Sequence, residues 1–596
     1  MFLHCIDWSV IIFFFVISLI VGIAVSRRAG KSSSEFFLSG RTMPWWLLGF
    51  SMVATTFSAD TPNLVTDIVR QHGIAGNWVW YPFLLTGMLT VFIYAKLWRR
   101  SGVMTDVEFY EIRYSGKEAA FLRGFRALYL GVFFNIMIMA SVTLAAIKIG
   151  GVMFNFGPIK SVLVAATVTV VFSTMGGLRG VLFTDFLLFL VAMAGSVLAA
   201  FFAIKQPSIG SIHNLITNAA VRGKLNFLPD FNNTDMVISL MIVPLAVQWW
   251  SVWYPGAEPG GGGYIAQRML AAKNEKHATG STLFFNIAHY ALRPWPWFIV
   301  ALSSLVIFPD LQSLTTAFPH LDPSIIKNDL AYPAMLTFLP HGILGLVVAS
   351  LIAAYMSTMS THLNWGSSYV VNDFYRRFVR PEASEKHLVR VGRISTVMMM
   401  VVASAIALWL GNALRAFNIL LQIGAGTGLL FLLRWFWWRI NAFSEITAMV
   451  VSFFVAIYFE FIHPALGFER VEQWKQLVIG VAITTVSWVV VTIFTRPTDD
   501  KTLRAFVKLI NPGGPGWKRV VKAAEKEGLA IESQASQPNL PMGILCMFIG
   551  CVLVYSAIFA TGFWIYEKLF MATVLTCLAA VTAVILIKLW GSKKLL

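Results

Sequence analysis

Stretches of about twenty apolar residues recur along nearly the whole chain, separated by short polar segments. A run of that length, wound as a helix, crosses the hydrocarbon core of a bilayer. Scanned on this criterion, the sequence predicts about fifteen spans, near residues 7–26, 44–70, 77–98, 124–154, 158–178, 181–204, 234–256, 279–308, 340–372, 391–410, 413–436, 443–463, 473–495, 541–563 and 568–591. The expected class is an all-α integral membrane protein.

Polar residues break the pattern in three places. The second span carries SADTPN at 58–63, and the seventh runs through WYPGAEPGGGG at 253–263 before a short amphipathic continuation, YIAQRMLAAK. These interruptions lie five spans apart. Helices broken at corresponding positions of two halves point to an inverted-repeat transporter that binds its ligands at the breaks, near mid-membrane. Asp60 strengthens that reading, because a carboxylate at mid-span costs roughly 2.5–3.5 kcal/mol on insertion scales. A kink at Pro62 and an ordinary glycine loop are the alternative. The third place is LVVASLIAAYMSTMSTHLNW, where Ser357, Thr358, Ser360 and Thr361 sit among apolar residues. On a helix, positions 357, 360 and 361 share one face and 358 lies beside 361. Such a patch of oxygens suits a cation stripped of its water.

Composition agrees with the pattern: of 596 residues, 57% are hydrophobic and 13% charged, and the mean hydropathy is +0.71. No soluble domain of this length has that balance. The net charge of +17 could suit nucleic acid, but its placement argues for topology. Basic residues gather in alternate loops: Arg27, Arg28, Lys31 and Arg41; Arg99 to Arg126; Arg268 to Lys276; Arg376 to Arg393; Arg496 to Lys526; Lys593 and Lys594. The positive-inside rule makes those loops cytoplasmic, with the N-terminus outside, the C-terminus inside and no nucleic-acid partner. Cys5, Cys546, Cys551 and Cys577 lie in or beside apolar spans without metal-ligand spacing, and read as packing residues. The first span has no basic residues before it and no small-residue cleavage pattern after it, so it reads as a retained helix.

The expected division is an N-terminal helix and loop (1–43), two repeats (44–204 and 234–436) around an outer loop (205–233), and peripheral helices (437–495). A polar cytoplasmic loop with a short amphipathic helix (496–540) and C-terminal helices (541–596) follow. GGLRG and GGGG lack the strand and the GK[ST] of a phosphate loop. No Ser, His and Asp are spaced for nucleophilic catalysis, so no enzyme activity is expected.

Four segments in order, FFLSGRTMPWWLLGFSMVATTFSAD, FSTMGGLRGVLFTDF, YIAQRMLAAK and AAYMSTMSTHLNWGSSYVVNDFYRRF, resemble the sodium:solute symporters, the family of the sodium/glucose, sodium/proline and sodium/sialic acid cotransporters. The resemblance covers roughly residues 5–500. It implies a LeuT-like fold of five plus five helices in inverted repeat, with one extra N-terminal helix and about four helices beyond the repeats. Span two becomes the first core helix, span seven the sixth and span nine the eighth.

Residue by residue, the resemblance implies a sodium ion held by the carbonyls of Ala54, Phe57 and Ala354 and the hydroxyls of Ser357 and Thr358. A hard monovalent cation takes oxygen ligands, and an unwound helix releases carbonyls to supply them. Some relatives hold a second sodium, and the matching residues here are Asp185, Ser360 and Thr361, with Ser357 shared. On that reading two ions move per cycle. Alternatively, Asp185 pairs with Arg179 in a cytoplasmic vestibule, and Ser360 and Thr361 bond back to their own helix.

For the organic solute, FFNIAHYALRPWPW places Asn286, His289 and Arg293 on one helical face, and His289 aligns with a sugar-contacting lysine of a relative. Arg293 keeps its charge, so inside a bundle it needs a partner: Asp60, Glu258 or a carboxylate of the solute. Gln422 matches a polar contact of the tenth core helix, and Thr56 and Thr61 flank the first break. Trp78, Trp253 and Tyr254 are aromatic candidates, although Trp and Tyr also anchor helices at membrane interfaces. WYPGAEPGGGG is longer than its counterpart in sugar-transporting relatives and lacks their asparagine. The expected function is sodium-coupled import of a small polar organic solute, a sugar or sugar acid, across the plasma membrane, a bacterial inner membrane, by a chain among lipids that needs no organic cofactor and for whose transport a monomer suffices. An amino-acid or carboxylate symporter and a transporter-like sensor are the alternatives.

Overall fold

The computed structural model describes residues 3–26, 32–251, 259–410, 423, 424, 426–528, 531 and 538–590. Among them the regular elements are all helical. Among the described residues nine helices are long and apolar enough to cross a membrane, and Cys5–Ser18, Pro158–Val170 and Thr234–Ala246 are shorter apolar helices. The helices in and around the candidate site are α1 (Cys5–Ser26), α2 (Trp45–Thr56), α3 (Asp60–His72), α4 (83–101), α5 (Gly116–Phe154), α6 (Pro158–Ile204), α7 (Gly263–Ala271), α8 (Glu275–Ile307), α9 (Ile343–Ser368) and α10 (Glu385–Ala407).

The first interruption is a true break. Helix α2 ends where Phe57 leaves helical geometry (φ −91°, ψ 72°), and α3 starts afresh at Asp60. Pro62 falls in the first turn of α3, where its missing N–H removes no intrahelical bond. Asp60 at that end complements the helix dipole. The second interruption ends at Gly260 and Gly261, both with positive φ (80° and 90°). A Cβ on Gly261 would stand 2.5 Å from the Met269 side chain. Only after them can α7 begin, its first amide at Gly263 donating to Asp106 Oδ2 at 2.7 Å.

Helix α6 is helical along its length yet doubles back. Ser173 donates to Ser360 on α9 (3.0 Å), whereas Asp185 accepts from Ser357 (2.6 Å). A straight helix would hold residues 173 and 185 about 18 Å apart, while 357 and 360 are about 4.5 Å apart along α9. The chain therefore reverses between Ser173 and Asp185, and its limbs correspond to the expected spans 158–178 and 181–204. The returning limb packs along α9 and α2 and against α8.

Helix α1 is fastened to the start of α9 through a fully buried carboxylate. Asp7 Oδ1 accepts the backbone N–H groups of Gly342 (2.6 Å) and Gly345 (2.8 Å), and Oδ2 accepts that of His4 (2.9 Å). It serves as the N-terminal cap that α9 otherwise lacks. Asp7→Ala is expected to lower the stability of the purified protein by roughly 2 kcal/mol, the upper range for loss of a cap, read as a lower Tm in detergent. Wild-type Tm would contradict this.

Beyond the core, Leu540–Ile565 packs tightly on α4. A Cβ on its Gly550 would meet the Met88 sulfur at 2.8 Å, Tyr555 Oη donates to Tyr81 O (2.7 Å), and Trp295 Nε1 of α8 donates to Ile558 O (2.9 Å). The basic segment holds two amphipathic helices where one was expected, Asp500–Ile510 and Lys518–Lys526. Phe506 and Trp517 clamp the buried Arg113 guanidinium at 5.4 and 4.9 Å from their ring centres.

Candidate functional site

The turn that ends α2 lies directly against the middle of α9. Thr358 Oγ1 donates to Thr55 O at 2.8 Å, and Ser357 Oγ donates to Asp185 Oδ1 at 2.6 Å. Both hydrogens are thus committed away from the groove, which leaves the two hydroxyl oxygens with lone pairs only, the form in which they can ligate a cation. On the α2 side the amide of Phe57 donates to Val53 O (2.8 Å) and Ala54 O (3.1 Å), and the chain then leaves the helix. Ala54, Phe57, Ala354, Ser357 and Thr358 are all buried. Thr358 thus lies beside the end of α2, on the same helix as Ala354 and Ser357.

The second expected set is arranged differently. Asp185, 0% exposed, accepts from Ser51 (2.5 Å) as well as Ser357, and its charge faces Arg268 at 3.8 Å rather than Arg179. Arg268 is also 0% exposed, so it does not belong to the loop charges of the sequence reading. Its guanidinium donates to Ser51 Oγ (3.1 Å), Thr361 Oγ1 (2.7 Å) and Gln267 Oε1 (2.8 Å). Thr361 also contacts Thr55 Oγ1 (3.0 Å), and Ser360 is engaged by Ser173. The four hydroxyls of α9 therefore reach α2, α7 and both limbs of α6. Ser51 and Arg268 were not singled out from the sequence. Arg268 had one cue, the apolar neighbours Tyr264–Ala266 and Met269–Ala272 on both sides.

Across the α2 break a cavity of about 110 Å3 is lined by Thr56, Ser58, Asp60, Thr61, Trp80, Tyr264, His289, Arg293 and Trp297, among others. That is several times the 10–15 Å3 one water needs. Arg293 Nη1 donates to Thr56 Oγ1 (3.2 Å), and Nη2 lies 3.1 Å from His289 Nε2. A guanidinium only donates, so Nε2 carries the lone pair and the imidazole is neutral. Its Nδ1–H then donates to Thr56 Oγ1 at 3.1 Å. A wide π turn at Ala288–Leu292 sits between Asn286 and Arg293. Asn286 faces away from the cavity, donating to Thr282 O (2.8 Å) and packing on Gly87 of α4, where an added Cβ would fall 1.8 Å from its oxygen. Trp80 lines the cavity, whereas Trp78 donates to Phe227 O at 2.8 Å. Trp253, Tyr254, Glu258 and Gln422 lie outside the described residues.

The model of the sodium:solute symporter family matches residues 36–452. A sodium/glucose cotransporter of Vibrio parahaemolyticus is 27% identical, over 78% of this chain and 87% of that protein. A sodium/mannose cotransporter of Bos taurus is also 27% identical, over 78% and 80%. Among solved structures, a sodium-coupled sialic acid symporter in a substrate-bound outward-open state superposes with a TM-score of 0.67 at 21% identity, over 83% of this chain and 99% of that one. The fold is therefore that of a LeuT-like transporter.

Proposed function

Because this chain belongs to the sodium:solute symporter family, we propose that it imports a small polar organic solute, a sugar or sugar acid, by alternating access across a bacterial inner membrane, coupled to sodium. The observation that carries this reading is the 2.8 Å contact between Thr358 and the carbonyl at the end of α2. It sets two lone-pair-only hydroxyls beside a turn that leaves helical geometry at Phe57, where each carbonyl oxygen has a second lone pair to offer. A sodium ion there takes Ala54 O, Phe57 O, Ala354 O, Ser357 Oγ and Thr358 Oγ1, and joins a broken helix of one repeat to a continuous helix of the other. Because it makes these contacts fully in one relative arrangement of the repeats, it biases their equilibrium, and solute binding across the same break is linked to it.

A second ion at Asp185, Ser360 and Thr361 would compete with a positive charge that the chain already supplies. Arg268 neutralises Asp185 and occupies Thr361, so the proposal couples one sodium to each cycle. The solute lies in the cavity of Thr56, Asp60, Thr61, His289 and Arg293.

Uptake of labelled solute into proteoliposomes tests the proposal. Accumulation above the outside concentration is expected with an inward sodium gradient and is expected to disappear when choline replaces sodium. Equal accumulation in choline would refute symport.

A further inference from the structure

We propose that an anionic phospholipid binds among α1, α5, α6 and α9, with one acyl chain in an apolar cavity and its phosphate at the start of α6. The cavity has a volume of about 160 Å3, and its walls include Trp8 and Phe15 of α1, Ile149 of α5, Val168 of α6, and Leu351 and Met356 of α9. An apolar cavity of this size stays free of water and takes an apolar guest. Its lining runs from Ser161 to Val168 on α6 and from Trp8 to Phe15 on α1, so it extends for about 10 Å along both helices. That shape suits the end of a hydrocarbon chain. Ile12 of α1 and Ile159 and Leu163 of α6 are 57, 65 and 61% exposed, which puts both helices at the rim of the bundle, where a chain enters from the bilayer.

Polar groups gather at one end of this cavity. Ser161 is 5% exposed and lines it, yet its hydroxyl has no hydrogen-bond partner among the described residues. A buried hydroxyl left unpaired is costly, and a phosphate or ester oxygen of a lipid supplies the missing partner. The preceding residue, Lys160, is exposed, and its ammonium lies 4.0 Å from the ring centre of Phe156, which also lines the cavity. No carboxylate among the described residues comes within 4.0 Å of that ammonium. Helix α6 begins at Pro158 without a side-chain cap, and its first backbone bond is the one Ser161 donates to Gly157 O (3.0 Å), so the amides of Ile159 and Lys160 are left for an anion. A phosphate here meets the helix dipole, the ammonium and the hydroxyl together. All the charge on offer is positive, which selects a net-anionic headgroup over a zwitterionic one that would set its own cation against Lys160. At its other end the cavity is bordered by Ala59 of the α2 break and by Met356, the neighbour of Ser357. The bound chain therefore touches both elements between which sodium was placed.

Native mass spectrometry tests the proposal on the full chain, delipidated in detergent and titrated with dioleoylphosphatidylglycerol, dioleoylphosphatidylcholine or glycerol phosphate. Wild type is expected to hold one phosphatidylglycerol per chain roughly 10-fold more tightly than phosphatidylcholine, and to bind no glycerol phosphate, which lacks acyl chains. Lys160→Glu is expected to weaken phosphatidylglycerol binding roughly 10-fold, and Lys160→Arg to keep it. Ala165→Phe, which fills the cavity and leaves the charges in place, is expected to abolish the tight site. Lys160 is exposed, so its two variants decide the question even if Ala165→Phe fails to fold. Equal binding of the two phospholipids, or wild-type affinity in Lys160→Glu or in folded Ala165→Phe, would overturn the inference and mark the retained lipid as annular. Glycerol phosphate binding as tightly as phosphatidylglycerol would overturn it as well, leaving a phosphate site alone. None of these readouts depends on the transported solute.

Discussion

Arg268→Met is expected to cost roughly 3–5 kcal/mol of stability, the penalty for removing one partner of a buried ion pair. The carboxylate of Asp185 would be left charged, 0% exposed and served only by the hydroxyls of Ser51 and Ser357. Ser51 and Thr361 would lose their donor at the same time. Three elements meet at this guanidinium, so the loss is shared by α2, α7 and α9 and is expected to appear as a fall in Tm of the detergent-solubilised protein. A double variant, Asp185→Leu with Arg268→Met, removes both charges, and apolar replacement of a whole buried pair is often neutral. It is expected to recover most of the loss. If Arg268→Met kept wild-type stability, or if the two substitutions were simply additive, the pair would not be the buried, coupled unit described above.

Ser357→Ala and Thr358→Val are each expected to raise the sodium concentration for half-maximal uptake roughly 10- to 100-fold. That range follows from about 1.5–3 kcal/mol for one polar contact to a charged group. Maximal velocity at saturating sodium is expected to change little, because the ion is bound by the remaining ligands once it is abundant. Ser51→Ala is the control for the first substitution. It deletes the other hydroxyl on Asp185 and no assigned sodium ligand, so sodium half-saturation is expected to stay near wild type. Ser51→Ala and Ser357→Ala with equal effects would assign the sensitivity to Asp185 and not to the ion.

The two breaks were legible because they violate the membrane helix in ways that few structures tolerate: SADTP puts a carboxylate and a proline at mid-span, and GGGG allows positive φ. Ser357 and Thr358 were legible for a similar reason, being hydroxyls at one level of an otherwise apolar helix. Arg268 was not. In a short amphipathic segment after a glycine run, a lone charge reads as a loop residue, and its partner, Asp185, lies in a helix from the other repeat, a pairing no local pattern carries. Asn286 illustrates a second limit. Helical spacing groups it with His289 and Arg293, but the π turn at Ala288–Leu292 changes the phase of α8, and Asn286 is directed at Gly87. Trp80 and Trp78 illustrate a third. They are two residues apart in a 3-10 turn and its end, and which ring meets the cavity depends on Trp78 finding the Phe227 carbonyl from a loop far along the chain.

On the proposed reading, one sodium ion is held where the end of α2 meets Ser357 and Thr358. Equilibrium binding of radioactive sodium to the purified protein, without solute, measures it most directly. Wild type is expected to bind one ion per chain, with affinity falling roughly 10- to 100-fold in Ser357→Ala and in Thr358→Val while Ser51→Ala binds as wild type does. Unchanged sodium affinity in both Ser357→Ala and Thr358→Val would contradict the account.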